Sequence, residues 1–106
     1  MTEIIDLRDD TFETFIRNNR IALVDFWAPW CMPCRLQGKM LDTNLKDLPE
    51  GARIAKINVD DNQQTARRFN VMGIPQIYLF VDGKVEKGWT GVTPAETIFS
   101  EIRRFC

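Results

Sequence analysis

The stretch Ile21-Ala-Leu-Val-Asp-Phe-Trp-Ala-Pro-Trp-Cys-Met-Pro-Cys34 decides how the whole chain is arranged. Its first eight residues, Ile21 to Ala28, are apolar at every position but Asp25. That pattern suits a central strand covered on both faces. Two cysteines follow, separated by Met32 and Pro33, at the start of a helical pattern. Pro33 falls in the first turn, where its missing N–H costs nothing. A buried strand that feeds a Cys-x-x-C onto a helix start is the setting of a reactive dithiol.

Upstream, Glu3 to Leu7 reads as a short strand. Asp9 or Asp10 is placed to cap a helix, with Glu13 three residues after Asp10 for a reciprocal cap. Phe12, Phe15 and Ile16 share a face of that helix, and Asn18-Asn19 ends it. Downstream of the cysteines, Leu36, Met40, Leu41, Leu45 and Leu48 recur at helical spacing until Pro49-Glu50-Gly51. Ala52 to Asp60 alternates as a strand, with Ala55, Ile57 and Val59 on one side and Ile54, Lys56 and Asn58 on the other. A short helix follows over roughly Asn62 to Phe69. Gln76 to Val81 and Val85 to Trp89 flank Asp82-Gly83, which signals an antiparallel hairpin. Thr93-Pro94-Ala95-Glu96 opens a last helix with an N-cap, a first-turn proline and a capping-box glutamate. Its buried side is Ile98, Phe99, Ile102 and Phe105.

The order βαβαβα followed by ββα predicts one α/β domain over residues 1–106. Right-handed crossovers make the first three strands parallel, and the hairpin extends this five-stranded mixed sheet at one side, with helices on both faces. In such sheets the site is expected beyond the C-terminal end of a central strand. Cys31 lies there.

Composition narrows the function. The chain is 44% hydrophobic and 27% charged with a formal net charge of −1, which argues against nucleic acid and against a polybasic membrane contact. No apolar run approaches the ~20 residues of a membrane span. The first residues lack the basic and apolar segments of a secretory signal, so a cytoplasmic location is expected. Histidine is absent, which removes Ser-His and Cys-His catalysis. Cys31, Cys34 and Cys106 are one ligand short of a closed zinc site, so neither metal nor other cofactor is expected. Cys106, at the chain end, reads as an incidental exposed thiol, with a link between two chains as the other possibility.

The two motif cysteines are not equivalent. A separation of three residues on a helix puts both sulfurs on one face, close enough to bond. Cys31 faces unpaired backbone N–H groups and the positive end of the helix dipole, which favour its thiolate, the attacking species in disulfide exchange. Cys34, deeper in the helix, is the thiol that resolves the mixed disulfide. An inert pair, or half of a metal site, is the alternative. Asp25, desolvated in an apolar strand, should favour its neutral form and serve the dithiol as a proton acceptor; an exposed position on an irregular strand is the alternative. Ile74-Pro75 opens the hairpin-side strand beside this site, where an extended peptide can pair with a backbone edge. Trp27 reads as core and Trp30 as a wall of the site.

These residues resemble the thioredoxin family across essentially the whole chain. Val24-Asp-Phe-Trp-Ala-Pro-Trp-Cys-Met-Pro-Cys34 is similar to the family's strand and active-site motif, Ala55-Lys-Ile-Asn-Val-Asp60 to its third strand, and Gly73-Ile-Pro75 to its cis-proline loop. Asp82-Gly83 and Gly91 fit its hairpin and the turn after it. The resemblance implies a thioredoxin fold, with Cys31 the nucleophile, Cys34 the resolving thiol, Asp25 the buried acid/base and Lys56 its neighbour. It implies a cis peptide before Pro75 and a substrate groove of Trp30, Met32, Pro33, Ile74, Pro75 and Gly91. It further implies a monomer that reduces protein disulfides and is recharged by a flavoprotein thioredoxin reductase, linked to NADPH or to ferredoxin.

Three positions depart from the family pattern. Met32 stands where glycine is usual, Gln76 where threonine is usual, and Lys39, after Gly38, where a helix-kinking proline is usual. The helix after Cys34 is therefore expected to run straighter. Two other activities stay open: a specialised oxidant or isomerase of the same fold, and a peptide-binding module without turnover.

Overall fold

In the computed structural model, which describes residues 3–106, the apolar run becomes β2 (Ile21–Trp27), and every one of its residues up to Phe26 is buried. It pairs in parallel with β3 (Ala52–Asn58) and antiparallel with β4 (Gln76–Val81). The edges are β1 (Ile5–Leu7), parallel to β3, and β5 (Lys84–Thr90), antiparallel to β4, in the order β1-β3-β2-β4-β5. This is the mixed sheet expected from the sequence. β4 and β5 join through Asp82 and Gly83, both at positive φ (53° and 80°), the turn that matches the right-handed twist of the strands.

Four helices cover the sheet: α1 (Phe12–Asn18), α2 (Met32–Thr43), α3 (Gln63–Arg68) and α4 (Ala95–Arg103). Alternation along β2 divides the core between the faces. Ile21 and Leu23 pack with Leu41 of α2 and with Ile98, Phe99 and Ile102 of α4. Ala22, Val24 and Phe26 pack on the opposite face with Phe12, Phe15 and Ile16 of α1, and Phe69 joins them. There Phe12 and Phe69 each meet Phe80 edge-on, with ring centroids 5.6 and 5.2 Å apart. Truncating Phe12 or Phe80 to alanine costs on the order of 3–5 kcal/mol.

Several local expectations give way. β1 is shorter than Glu3 to Leu7, and β3 ends at Asn58 rather than Asp60. Neither Asp9 nor Asp10 caps α1; its first turn follows Thr11, without a side-chain cap. Asp9 instead reaches across to α3, accepting from the backbone N–H groups of Gln64 and Thr65 and from the Thr65 hydroxyl. Glu13 pairs with Arg68 and Arg17 and closes no capping box. Thr93 does not cap α4, which starts after Pro94; its hydroxyl donates to the Gly91 carbonyl, and Glu96 pairs with Arg103.

The helical pattern after Cys34 also splits in two. α2 stops at Thr43, and Leu45–Asp47 form a separate tight turn. Leu36 lies on the solvent side, because Cys34, Gln37 and Leu41 form the buried stripe. α2 continues without a break through Gly38 and Lys39.

Candidate functional site

The end of β2 and the start of α2 put the two cysteines in one place for separate reasons. The β2–β3 pairing holds the strand to its end, where the Val59 N–H donates to the Trp27 carbonyl at 2.9 Å. The chain then turns through Ala28-Pro29-Trp30, with the Cys31 N–H on the Ala28 carbonyl at 3.1 Å. Cys31 has extended backbone (φ −91°, ψ 106°) and is the N-cap of α2. Its sulfur takes the part usually played by a serine or aspartate oxygen, accepting the Cys34 N–H at 3.2 Å. A cap position of this kind stabilises negative charge on sulfur. Cys31 and Cys34 are joined as a disulfide, with Cα atoms 5.2 Å apart.

The two sulfurs belong to different hollows. Cys31 lines an open, largely apolar one of about 720 Å³ with Trp30, Met32, Pro33, Met72 and Ile74. Trp30, Met32 and Met72 are 69%, 68% and 86% exposed there, an unusual share of large apolar surface for one rim. Cys34, almost wholly buried, lines a second hollow of about 600 Å³ with Asp25, Trp27, Gly38, Lys39 and Lys56. The outer side of the dithiol thus meets apolar surface, and the inner side meets ionisable groups.

Asp25 is 2% exposed, and its Oδ1 has no hydrogen-bond partner. Loss of hydration disfavours its charged form and pushes the pKa up to about 7, although the ammonium of Lys56 draws it back. Lys56 is the cross-strand partner of Asp25 in the β2–β3 register. Its ammonium lies 4.9 Å from the centre of the Trp27 ring and 3.9 Å from Asp6. Trp27 is half-buried with an unpaired indole N–H, and lines the inner hollow. It is a wall of the site as much as core.

Trp30 is fixed by its indole N–H, which donates to Asp60 at 3.0 Å. The Ile74–Pro75 peptide is cis, and the Ile74 carbonyl oxygen lies 3.8 Å from the Cys31 sulfur. Pro75 is buried, and its carbonyl accepts the N–H of Gly91 at 2.9 Å. Gly91 itself sits at φ +88°, a conformation costly for other residues. Of the groove residues expected from the sequence, Trp30, Met32, Pro33 and Ile74 line the outer hollow, and Pro75 and Gly91 do not. Among the described residues, no group of three or more His, Cys, Asp or Glu is placed to hold a metal ion.

One residue the sequence reading passed over is Gln37. It is wholly buried on the stripe between Cys34 and Leu41. Its carboxamide oxygen accepts the Thr93 N–H at 2.7 Å, and its nitrogen donates to the Thr93 carbonyl at 3.0 Å. A signal was present: Gln37 follows Cys34 by three and precedes Leu41 by four, an apolar position of the helix filled by an amide. Gln76, which stands where threonine is usual in the family, is a second buried amide. It accepts the Thr90 hydroxyl at 2.6 Å and donates to the Trp89 carbonyl at 3.0 Å.

Comparison with known proteins agrees with this geometry. Residues 3–104 match the family model described as Thioredoxin. The chain is 39% identical to a thioredoxin of Haemophilus influenzae over 105 residues, 98% of each chain. It is 35% identical to a thioredoxin of Alicyclobacillus acidocaldarius over 96 residues, 91% of each. Among solved structures, a mutant thioredoxin from Halobacterium salinarum superposes with a TM-score of 0.88 at 28% identity, covering 97% of this chain and 90% of that one.

Proposed function

The chain belongs to the thioredoxin family, and from that premise we propose that it reduces disulfides in other proteins, with Cys31 attacking, Cys34 resolving and Asp25 taking the proton. Thiol–disulfide oxidoreductase chemistry comes with the family and with the Cys31–Cys34 pair. The division of labour is the proposal, and the observation that carries it is the pair of hollows, one for each sulfur.

In the reduced protein the Cys31 thiolate attacks one sulfur of a substrate disulfide. A new S–S bond forms, the substrate's bond breaks, and its other sulfur leaves as a thiolate. Cys34 then passes its proton toward Asp25 across the inner hollow, directly or through one water. The Cys34 thiolate attacks the Cys31 sulfur, releasing the second substrate thiol and leaving the Cys31–Cys34 disulfide found here. Two electrons have moved to the substrate. A dithiol donor must return them, and a flavoprotein thioredoxin reductase, drawing on NADPH or on ferredoxin, is the partner we assign.

The exposed rim of Trp30, Met32 and Met72 supports a protein disulfide as substrate rather than a small one. Ile74 and Pro75 offer backbone beside the attacking sulfur, and Lys56 holds the inner side. Three cysteines, two of them in one motif, suit a reducing compartment, and we place the protein's action in the cytoplasm as a monomer. The test is dithiol-dependent reduction of a model protein disulfide. Acceleration is expected, and a peptide-binding module without turnover gives none.

A further inference from the structure

We propose that Gln37 is a positioning residue for this reaction: it locks the loop at residues 91–93 to the helix that carries the dithiol, and so sets where a protein substrate rests relative to Cys31. The inference rests on the reading that Cys31 attacks protein disulfides. A closed circuit of contacts carries it. From α2 the circuit passes from the Cys31 sulfur to Ile74, 3.8 Å away, and from the Pro75 carbonyl to the Gly91 N–H at 2.9 Å. It continues along the loop to Thr93 and returns to α2 through the paired bonds of Gln37. The bond from the Thr90 hydroxyl to Gln76 fixes the end of β5, from which the loop departs.

An amide in that position needs a reason. Gln37 is wholly buried between Cys34 and Leu41, where an aliphatic side chain fills the space without the cost of desolvating a carboxamide. Both ends of the amide are spent on the backbone of one residue, Thr93. Apolar packing tolerates sliding, whereas two opposed hydrogen bonds fix distance and direction together. Val92, 40% exposed, is thereby held out to solvent between two fastened residues, Gly91 on the Pro75 carbonyl and Thr93 on Gln37. A loop ordered before binding spares a large substrate the entropy of ordering it. A small disulfide that reaches only the sulfur draws no benefit.

The experiment compares wild type, Gln37→Met and Gln37→Leu on two substrates, a model protein disulfide and a small aromatic disulfide. Gln37→Met, which loses both bonds at similar volume, should raise KM for the protein disulfide about fivefold with kcat within about twofold. Its rate with the small disulfide should stay at the wild-type value. Gln37→Leu also loses both bonds and should behave alike; if Gln37→Met does not fold, Gln37→Leu must still raise KM on the protein substrate alone. Equal losses on both substrates, or no change on either, overturn the proposal. A wild-type protein that leaves the protein disulfide intact sinks the proposed function, and this inference with it.

Discussion

The backbone N–H of Cys34 is directed at the sulfur of Cys31 across 3.2 Å, and that contact makes the two cysteines unequal. One sulfur is a helix cap beside an apolar rim; the other is buried within the helix and lines a hollow shared with the Asp25 carboxyl. Cys31→Ser should therefore abolish reduction of protein disulfides. Cys34→Ser should still attack and then stall, accumulating mixed disulfides with substrates. Mass spectrometry of each variant after exposure to a disulfide-bonded protein reads the difference; adducts on Cys31→Ser and none on Cys34→Ser reverse the assignment.

Asp9 carries a prediction about stability alone. Asp9→Ala removes acceptors for the N–H groups of Gln64 and Thr65 at the start of α3, and should cost about 1–2 kcal/mol by urea denaturation at neutral pH. Partial burial pushes the Asp9 pKa up, but the bonds from Thr65 and Gln64 outweigh it and hold the carboxyl below its usual value of 3.8. A depressed folded-state pKa gives stability that is present above 3.8 and lost as pH falls through the folded value. The gap between wild type and Asp9→Ala should accordingly close in acid. A gap that stayed constant down to pH 2 defeats this account.

Asp9 also shows where sequence reading stopped. A carboxylate just before a helical pattern reads as a local cap, and only the fold brings α3 within its reach. Thr93 and Glu96 misled for a local reason, each taking a nearby partner, Gly91 and Arg103, in place of the cap. What was legible followed from period and burial. The run Ile21 to Ala28 has no polar face, so it had to be central; Asp82-Gly83 demands positive φ, so it had to be a hairpin turn. The pairing of Cys31 with Cys34 and the burial of Asp25 were legible because those residue types break the pattern around them. Leu36 was misplaced because Gln37, an amide, occupies the apolar stripe that Leu36 was expected to fill.

Cys106 is exposed, its sulfur 3.6 Å from the Ile102 carbonyl at the end of the chain and remote in sequence from the dithiol. Cys106→Ser should leave the turnover of a protein disulfide unchanged. Non-reducing electrophoresis of the oxidised proteins checks the second possibility: a dimer band in wild type that vanishes in Cys106→Ser shows a link between chains.

Lys56 tests the inner hollow from the side of its cation. Its charge draws the Asp25 pKa down against burial, so Lys56→Gln should move the Asp25 titration to higher pH, as seen by the carboxyl carbon in NMR. Release of substrate from the mixed disulfide should then require higher pH as well. A titration that stayed in place or moved down shows that Lys56 acts on something other than Asp25.

Asp25 itself joins stability to activity. Its folded-state pKa of about 7 lies above the ordinary value of 3.8, because burial disfavours the charge more than Lys56 supports it. Between these values the folded protein holds a proton that the unfolded chain releases, so stability falls as pH rises from about 4 to 7 and stays low above. The full penalty is on the order of 4 kcal/mol. Asp25→Asn carries no charge to bury, though its amide must go partly unpaired, since Asp25 Oδ1 has no partner. The variant should therefore be about 2–4 kcal/mol more stable than wild type at pH 8 and nearly equal to it at pH 4, both measured on oxidised protein. If Asp25 takes the Cys34 proton as proposed, the variant should also release reduced substrate more slowly near neutral pH. Added stability and slower release must occur in the same protein. A variant as fast as wild type assigns Asp25 to structure alone; one that is less stable at pH 8 shows that the carboxylate is held by contacts stronger than the burial that opposes it.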